Sequence, residues 1–367
     1  MLAYIDQVDD RSFPGVATKI TAQINAFKKK GIECERINLP YKRDLFIQLL
    51  RRMPFMPDWY GWNSIDISKW DAFYIRKPYF FSPSFISFLR RIKTENHDAK
   101  VLLELPTYPY DDEMKGFFSI LLLMRDRVYR KMLHKYIDRI VSFSAPDCIF
   151  DIPTISIFNG IDVSKVEMRE PSYDEKAIRL LCLATFAKWH GADRLIEGIA
   201  EYYRGCGPKD ITLYLIGDGP EIPRLSQLVR DREIENHVVF LGAMTEAQYK
   251  PFFDKCSAAV ASLGLHRIGI SYASTLKTRE YLARGIPFIF SGKIDVFEKA
   301  PVDFCLQIPA DDSPVDINNV LLFLDGLSCQ QSSKSLAARI RGYAIQHVDM
   351  ESVFDPVVSY VKGTAGL

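Results

Sequence analysis

No two of the seven cysteines stand at Cys-x-x-Cys spacing: they fall at Cys34, Cys148, Cys182, Cys206, Cys256, Cys305 and Cys329. An odd, dispersed set argues against a disulfide framework and against a zinc site. They read as reduced packing residues of a cytoplasmic protein. Long apolar runs are also missing. A spanning helix needs roughly 18 or more apolar residues, and the longest candidate, Phe117 to Met124, is far shorter. The basic-then-apolar pattern of a signal peptide is broken at the N-terminus by Asp6, Asp9 and Asp10. Charge of either sign is not in excess: 47 Lys and Arg face 46 Asp and Glu, a net of +1. A global attraction to nucleic acid is therefore not expected. Nor is a strand followed by Gly-x-Gly-x-x-Gly, which argues against a dinucleotide dehydrogenase.

What is present is a soluble α/β composition. Nearly half of the 367 residues are apolar (48%) and 25% are charged, enough for two domains with cores of their own. Aromatics reach 13%; such rings suit sugar stacking, though most must fill cores. Short apolar runs alternate with longer amphipathic stretches, the pattern of parallel strands joined by helices. In the first half strands are expected at Leu2–Ile5, Glu33–Asn38, Ala72–Ile75, Val101–Leu105, Arg139–Phe143 and Ile155–Phe158. A helix from Thr18 to Lys30 closes at Gly31. Around Ile161–Ser172 an Asn-Gly turn, charges and a proline mark a linker. The alternation then restarts, with strands at Arg179–Ala184, Thr212–Ile216, Val238–Leu241, Ala258–Ser262, Phe288–Phe290 and Phe304–Ile308. Helices are expected at Gly191–Tyr203, Glu221–Arg232, Glu246–Lys255, Thr275–Arg284, Lys334–His347 and Glu351–Val361. The expected domains are residues 1–165 and 170–349, the segment 350–367 packing back on the first. Two Rossmann-like, doubly wound parallel-sheet domains would face a cleft, with ligands at the carboxyl ends of strands.

Two segments carry the chemistry. Leu215-Ile216-Gly217-Asp218-Gly219-Pro220 reads as a strand entering a tight turn and a helix. Its glycines let backbone approach a ligand or, equally, a neighbouring loop. The second runs from Thr275 to Pro287. A helix N-terminus offers free N–H groups and about half a positive charge, a ready site for a diphosphate. Lys277 adds a full charge one turn in, the wrong end of a helix for a lysine unless an anion sits there. Glu280 either pairs with Lys277 at i,i+3 on the surface or accepts the two adjacent hydroxyls of a ribose.

Four stretches in order resemble the signature of glycosyltransferase family four: Phe158-Asn159-Gly160-Ile161-Asp162, Gly217-Asp218-Gly219-Pro220, Val239-Phe240-Leu241-Gly242 and Glu280-Tyr281-Leu282-Ala283-Arg284-Gly285-Ile286-Pro287. The resemblance implies the GT-B fold, a nucleotide-sugar donor (UDP foremost) and transfer with retention in bacterial glycan synthesis. It assigns Glu280 to the donor ribose, backbone around Leu241, Gly242 and Met244 to the base, and the amides of Thr275 and Leu276 to the diphosphate. Pro14-Gly15-Val16 takes the place of the family's glycine-rich first loop, so that Gly15 approaches the donor or the acceptor. Two departures stand out. The family's second glutamate, eight residues before Glu280, is Tyr272 here; its Gly-Arg and Lys-Gly pairs are replaced within Ala184-Thr185-Phe186-Ala187-Lys188-Trp189-His190-Gly191. The basic role is then expected of Lys188, helped by His190. His266 and Arg267 are candidates for sugar or phosphate contact, against a solvated loop pair.

On the acceptor side, Glu104-Leu105-Pro106-Thr107-Tyr108-Pro109-Tyr110-Asp111 forms a rigid, polar, aromatic loop suited to a sugar. Glu104 is the catalytic candidate there, or else a structural partner of Arg76; Thr107, Tyr108 and Arg76 are acceptor candidates. The chain contains no Asp-x-Asp, the acidic motif that holds a divalent ion against a diphosphate. No metal or other cofactor is therefore expected, and Lys188, Lys277, Arg279 or helix N-termini would neutralise the leaving group. The acceptor would be a glycan or lipid-linked saccharide. Arg125, Arg127, Arg130, Lys131, Lys135 and Arg139 line a basic amphipathic stretch from Phe117 to Ile140, with Arg51, Arg52, Arg90, Arg91 and Lys93 in the same half. That stretch could rest on an anionic inner-membrane surface or be a core helix with a solvated side. A nucleotide-sugar 2-epimerase and a non-catalytic partner subunit remain as rival readings.

Overall fold

The computed structural model describes residues 1–39, 58, 61–111, 117–143, 146–172 and 177–364. The chain divides into two compact units, residues 1–159 with 350–367, and residues 160–349. The first is built on a seven-stranded sheet of order β2-β1-β3-β4-β5-β7-β6. Its strands are β1 (Leu2–Asp6), β2 (Cys34–Asn38), β3 (Ala72–Arg76), β4 (Lys100–Leu105), β5 (Arg139–Ser142), β6 (Cys148–Ile149) and β7 (Ile152–Ser156). All pairings are parallel except β6 with β7. Every residue of β1 is buried, as a central parallel strand covered on both faces requires. On one face Phe27 of the Pro14–Lys29 helix meets Phe354 edge-on at 5.4 Å, seating the C-terminal helices on this unit.

The second unit holds a six-stranded parallel sheet of order β10-β9-β8-β11-β13-β15. These strands are β8 (Ala177–Leu183), β9 (Asp210–Ile216), β10 (Val238–Gly242), β11 (Ala258–Val260), β13 (Phe288–Ser291) and β15 (Cys305–Ile308). A separate parallel pair joins β12 (Tyr272–Ala273) to β14 (Lys293–Ile294). Ile178, Leu180, Leu213, Leu215 and Ile289 anchor its core against Leu195, Ile196 and Ile199 of the Ala192–Arg204 helix.

Several expectations need correction. The boundary between units falls at 159/160, and residues 160–172 are not a free linker. Ile161 N–H donates to the Val348 carbonyl at 3.0 Å, and the buried Arg169 side chain donates to the carbonyls of Gly285, Phe253 and Cys256. The strand expected at Ile155–Phe158 begins earlier, because Phe150 and Asp151 take positive φ in a tight hairpin from β6. Neither residue announces such a turn. The Pro83–Glu95 helix was readable but overlooked: Ser82 caps it, accepting from Phe85 N–H at 3.0 Å, and Phe85, Phe88, Leu89 and Ile92 recur at helical spacing.

The basic stretch from Phe117 is also different. Its helix stops at Arg130 and β5 begins at Arg139. Arg125 is buried against Phe80; Arg127 and Arg130 both donate to Asp111, at 2.8 Å each; Arg139 lies over the Tyr360 ring. Lys93 pairs with Asp138 and Arg91 with Glu95. These internal partners favour the core-helix reading. Arg51 and Arg52 lie outside the described residues.

Candidate functional site

A groove of about 540 Å³ opens at the carboxyl ends of β8, β9 and β10, lined by Leu183, Ala184, Thr185, Gly217, Asp218, Gly219, Ala243 and Met244. It brings together Gly217 and Met244 of the expected donor residues. Gly217 has φ +125°, and a Cβ there would stand 1.8 Å from the Ala184 carbonyl oxygen. At Gly219, φ is +149° and the Phe186 carbonyl oxygen would be 2.4 Å away. Ala184 N–H donates to Ile216 O, Phe186 N–H to Asp218 O, and Gly217 N–H to Gly242 O. The glycines therefore let two loops interlock to form the groove wall. Gly242 also takes positive φ, with open space where its Cβ would be.

The next component is the Leu276–Arg284 helix, which starts after β12. Thr275 precedes it in extended geometry and its side chain makes no capping bond; Thr278 Oγ1 donates instead to the Thr275 carbonyl at 2.8 Å. Leu276 is exposed. The N-cap side chain therefore leaves the early amides of this helix uncapped. One residue further, the Lys277 ammonium is shut off from solvent and has no hydrogen-bond or ion-pair partner among the described residues. Burial lowers its pKa, opposed by the nearby Cys182 thiol and Glu280 carboxylate. A buried ammonium with no anion is costly.

The surface pairing of Glu280 with Lys277 does not form. Arg284, one turn on, donates to Glu280 Oε1 at 2.9 Å, and Tyr249 Oη at 3.3 Å. Arg279, offered above as a phosphate partner, is fully buried and bound to Asp295, with Thr278 Oγ1 at 3.3 Å. It is not available to a ligand.

Basic side chains from the β8 loop divide sharply. Lys188 is exposed in the turn Lys188–His190, and its carbonyl accepts from Arg267 at 3.0 Å. His190 Nδ1 accepts the Ala187 N–H at 3.1 Å, which leaves the proton of the neutral ring on Nε2 as a donor. Burial first, then the Lys277 charge, hold His190 down at about 4. His266 and Arg267 are neither solvated nor free for phosphate. Arg267 bridges Asp193 at 2.9 Å and Asp312 at 2.6 Å, and His266 Nε2 lies 3.1 Å from Asp312. The Arg267 bond to the Lys188 carbonyl, with Leu263 N–H and Gly264 N–H donating to the carbonyls of His190 and Trp189, holds the Leu265–Ile268 turn against Lys188–His190.

On the first unit, Glu104 is wholly buried and both oxygens are occupied: Arg76 bonds Oε1, while Tyr74 Oη and Gln23 Nε2 reach Oε2 at 2.7 and 3.0 Å. This corrects the catalytic expectation; the carboxylate organises a buried network and Arg76 belongs to it. Gly15 is exposed in the first turn of its helix, with nothing near its absent Cβ. Thr107 is exposed, and Tyr108 is half-buried, edge-on to Phe150 at 5.9 Å. Unforeseen was Lys19, whose Nζ lies 2.6 Å from Asn159 Oδ1 and 3.6 Å from the Phe143 ring centroid.

No curated protein matches the chain by sequence. Residues 177–314 match the family model described as glycosyl transferases group 1. Among solved structures, a glycosyltransferase from Rickettsia africae is similar over 99% of this chain and 98% of its own, at 11% identity and TM-score 0.62. HepE of Anabaena, solved in complex with UDP, is similar over 99% of both chains, at 15% identity and TM-score 0.61. The lipopolysaccharide outer core galactosyltransferase WaaB is similar over 98% of this chain and 99% of its own, at 14% identity and TM-score 0.58. The chain thus has the GT-B fold, and its residues 177–314 are similar to the group 1 glycosyltransferase family.

Proposed function

We propose that the protein transfers a hexose-type sugar from a nucleoside diphosphate, UDP foremost, to a glycan or lipid-linked saccharide, with retention and without a metal. The observation that carries this reading is Lys277: a buried ammonium with no ion-pair partner among the described residues, in the first turn of a helix that its N-cap residue Thr275 leaves without a side-chain cap. A diphosphate supplies the missing charge and accepts from the free amides. The nucleotide lies along the groove of Gly217 and Met244, and Glu280 takes the ribose. That solved relatives of this fold hold UDP or UDP-glucose supports the choice of base.

In the reaction the bond from the anomeric carbon to the diphosphate oxygen breaks and the acceptor oxygen bonds to that carbon on the same face. The acceptor proton passes to the leaving diphosphate. Lys277 and the helix amides stabilise the charge that develops there, the kind of preorganised electrostatics that lowers such barriers. Here the buried Lys277, rather than the exposed Lys188, takes the main cationic role. His190 Nε2–H adds a neutral donor.

A panel of nucleotide sugars screened by thermal shift on the whole chain tests the reading. A true donor raises the melting temperature by mass action. The same donor, incubated with saccharide acceptors and chelator, should yield a glycosylated product. A donor that is converted to its epimer without acceptor would instead mark an epimerase; binding without turnover would mark a non-catalytic subunit.

A further inference from the structure

Glu280 is more tightly organised than a ribose ligand on a helix needs to be. Arg284 Nε and Tyr249 Oη both donate to the same oxygen, Oε1, at 2.9 and 3.3 Å. Oε2 carries no hydrogen bond among the described residues, and the side chain is 25% exposed. The Arg284 guanidinium cannot swing away. It is 2% exposed, donates also to Glu246 at 2.7 Å, and lies 5.6 and 4.7 Å from the ring centroids of Tyr249 and Phe253. Glu246, Tyr249 and Phe253 lie along one face of the Glu246–Lys255 helix, at i, i+3 and i+7. The far end of the site's own helix is fixed as well: the Arg284 carbonyl accepts from Arg169 N–H at 2.9 Å.

We propose that Arg284 and Tyr249 are positioning residues which hold one oxygen of Glu280 so that the other alone accepts the hydroxyls of the nucleotide ribose, giving the site its preference for ribo- over deoxyribonucleotides. The physical reason is entropic and geometric. A free glutamate samples several rotamers, each of which must be frozen on binding; a carboxylate already held at one oxygen presents the other in a single orientation. A carboxylate acceptor also makes a stronger, charge-assisted bond than a neutral one. This inference rests on the ribose role given to Glu280 above.

The test is calorimetric titration of the full chain with UDP and with its 2′-deoxy analogue, for the wild type and for Arg284→Met, Arg284→Lys and Tyr249→Phe. A hydrogen bond to a charged group implies that the wild type favours UDP by roughly tenfold or more. In Arg284→Met, which keeps an apolar chain against Tyr249 and Phe253, that preference should fall to about twofold or less. Arg284→Lys should retain most of it, and Tyr249→Phe should reduce it by about two- to threefold. Thermal melts establish folding of each variant; if Arg284→Met does not fold, Tyr249→Phe decides. An undiminished ribo preference in the folded variants would overturn the positioning role while leaving Glu280 on the ribose. No preference in the wild type would remove both.

Discussion

At the scale of single residues, the amines of Lys277 and Lys19 say most about the chemistry. Lys277 has no hydrogen-bond partner among the described residues, whereas Lys19 has Asn159 and an aromatic face, and burial lowers the Lys19 pKa to about 8. The sign of its effect on stability follows. An unfolded lysine titrates near 10.4, so between about pH 8 and 10.4 the unfolded chain binds more protons and stability rises with pH. Lys19→Met lacks that contribution. Urea midpoints at about pH 7.5 and 9.5 should therefore show the wild type gaining on Lys19→Met at the higher pH. A constant difference would mean that Lys19 titrates normally. Such burial is not legible in sequence. A lysine in the second turn of an amphipathic helix looks solvated until the loops holding Phe143 and Asn159 are placed around it. Lys277 was legible for the opposite reason, since it breaks the rule for charge at a helix N-terminus. The Glu280–Arg284 spacing of i,i+4 was equally open to inspection. What hid it was the nearer lysine at i−3.

Among elements, the turns after β8 and β9 define the groove, and their glycines are its structural requirement. Gly217→Ala puts a methyl 1.8 Å from a carbonyl oxygen at φ +125° and should cost about 2–4 kcal/mol by urea unfolding. Gly242→Ala meets no atom within 4 Å and should cost about 1–2 kcal/mol, from its left-handed backbone alone. Equal losses at the two positions would contradict the interlocked loops. The apolar runs of β8 to β13 were visible as alternating elements, and their observed ends lie close to expectation. The β6–β7 hairpin was invisible because Phe150-Asp151 is poor turn chemistry, and its antiparallel edge displaced the last strand of the first sheet. The helix ending at Arg130 is a lesson in charge counting. Its arginines are matched by Asp111 and by the Phe80 and Phe150 rings. Sedimentation with vesicles should accordingly show no gain from anionic lipid at physiological salt, whereas strong anionic-lipid dependence would restore the interfacial reading.

For the whole molecule, two α/β units were legible in the alternation of strands and helices, and the motif at Gly217 marked the groove at the carboxyl ends of β8, β9 and β10. Roles that depend on burial were not. Glu104 sat in an inviting loop, yet the fold encloses it with Arg76, Tyr74 and Gln23. Lys188 had the expected position in sequence but is exposed, and the site's buried cation comes from another element. On the function proposed above, Lys277 awaits a diphosphate. Calorimetry of the full chain with UDP, paired with thermal melts of the ligand-free protein, tests it directly. Lys277→Met should weaken UDP binding by about 1.5–3 kcal/mol, roughly 10- to 150-fold, because a charge-assisted contact is lost. The same variant without ligand should melt no lower than the wild type, since an unpaired buried charge has been removed. Lys188→Ala should change UDP affinity far less. Unchanged UDP affinity in Lys277→Met, or a loss of affinity matched by a lower melting temperature, would contradict the account.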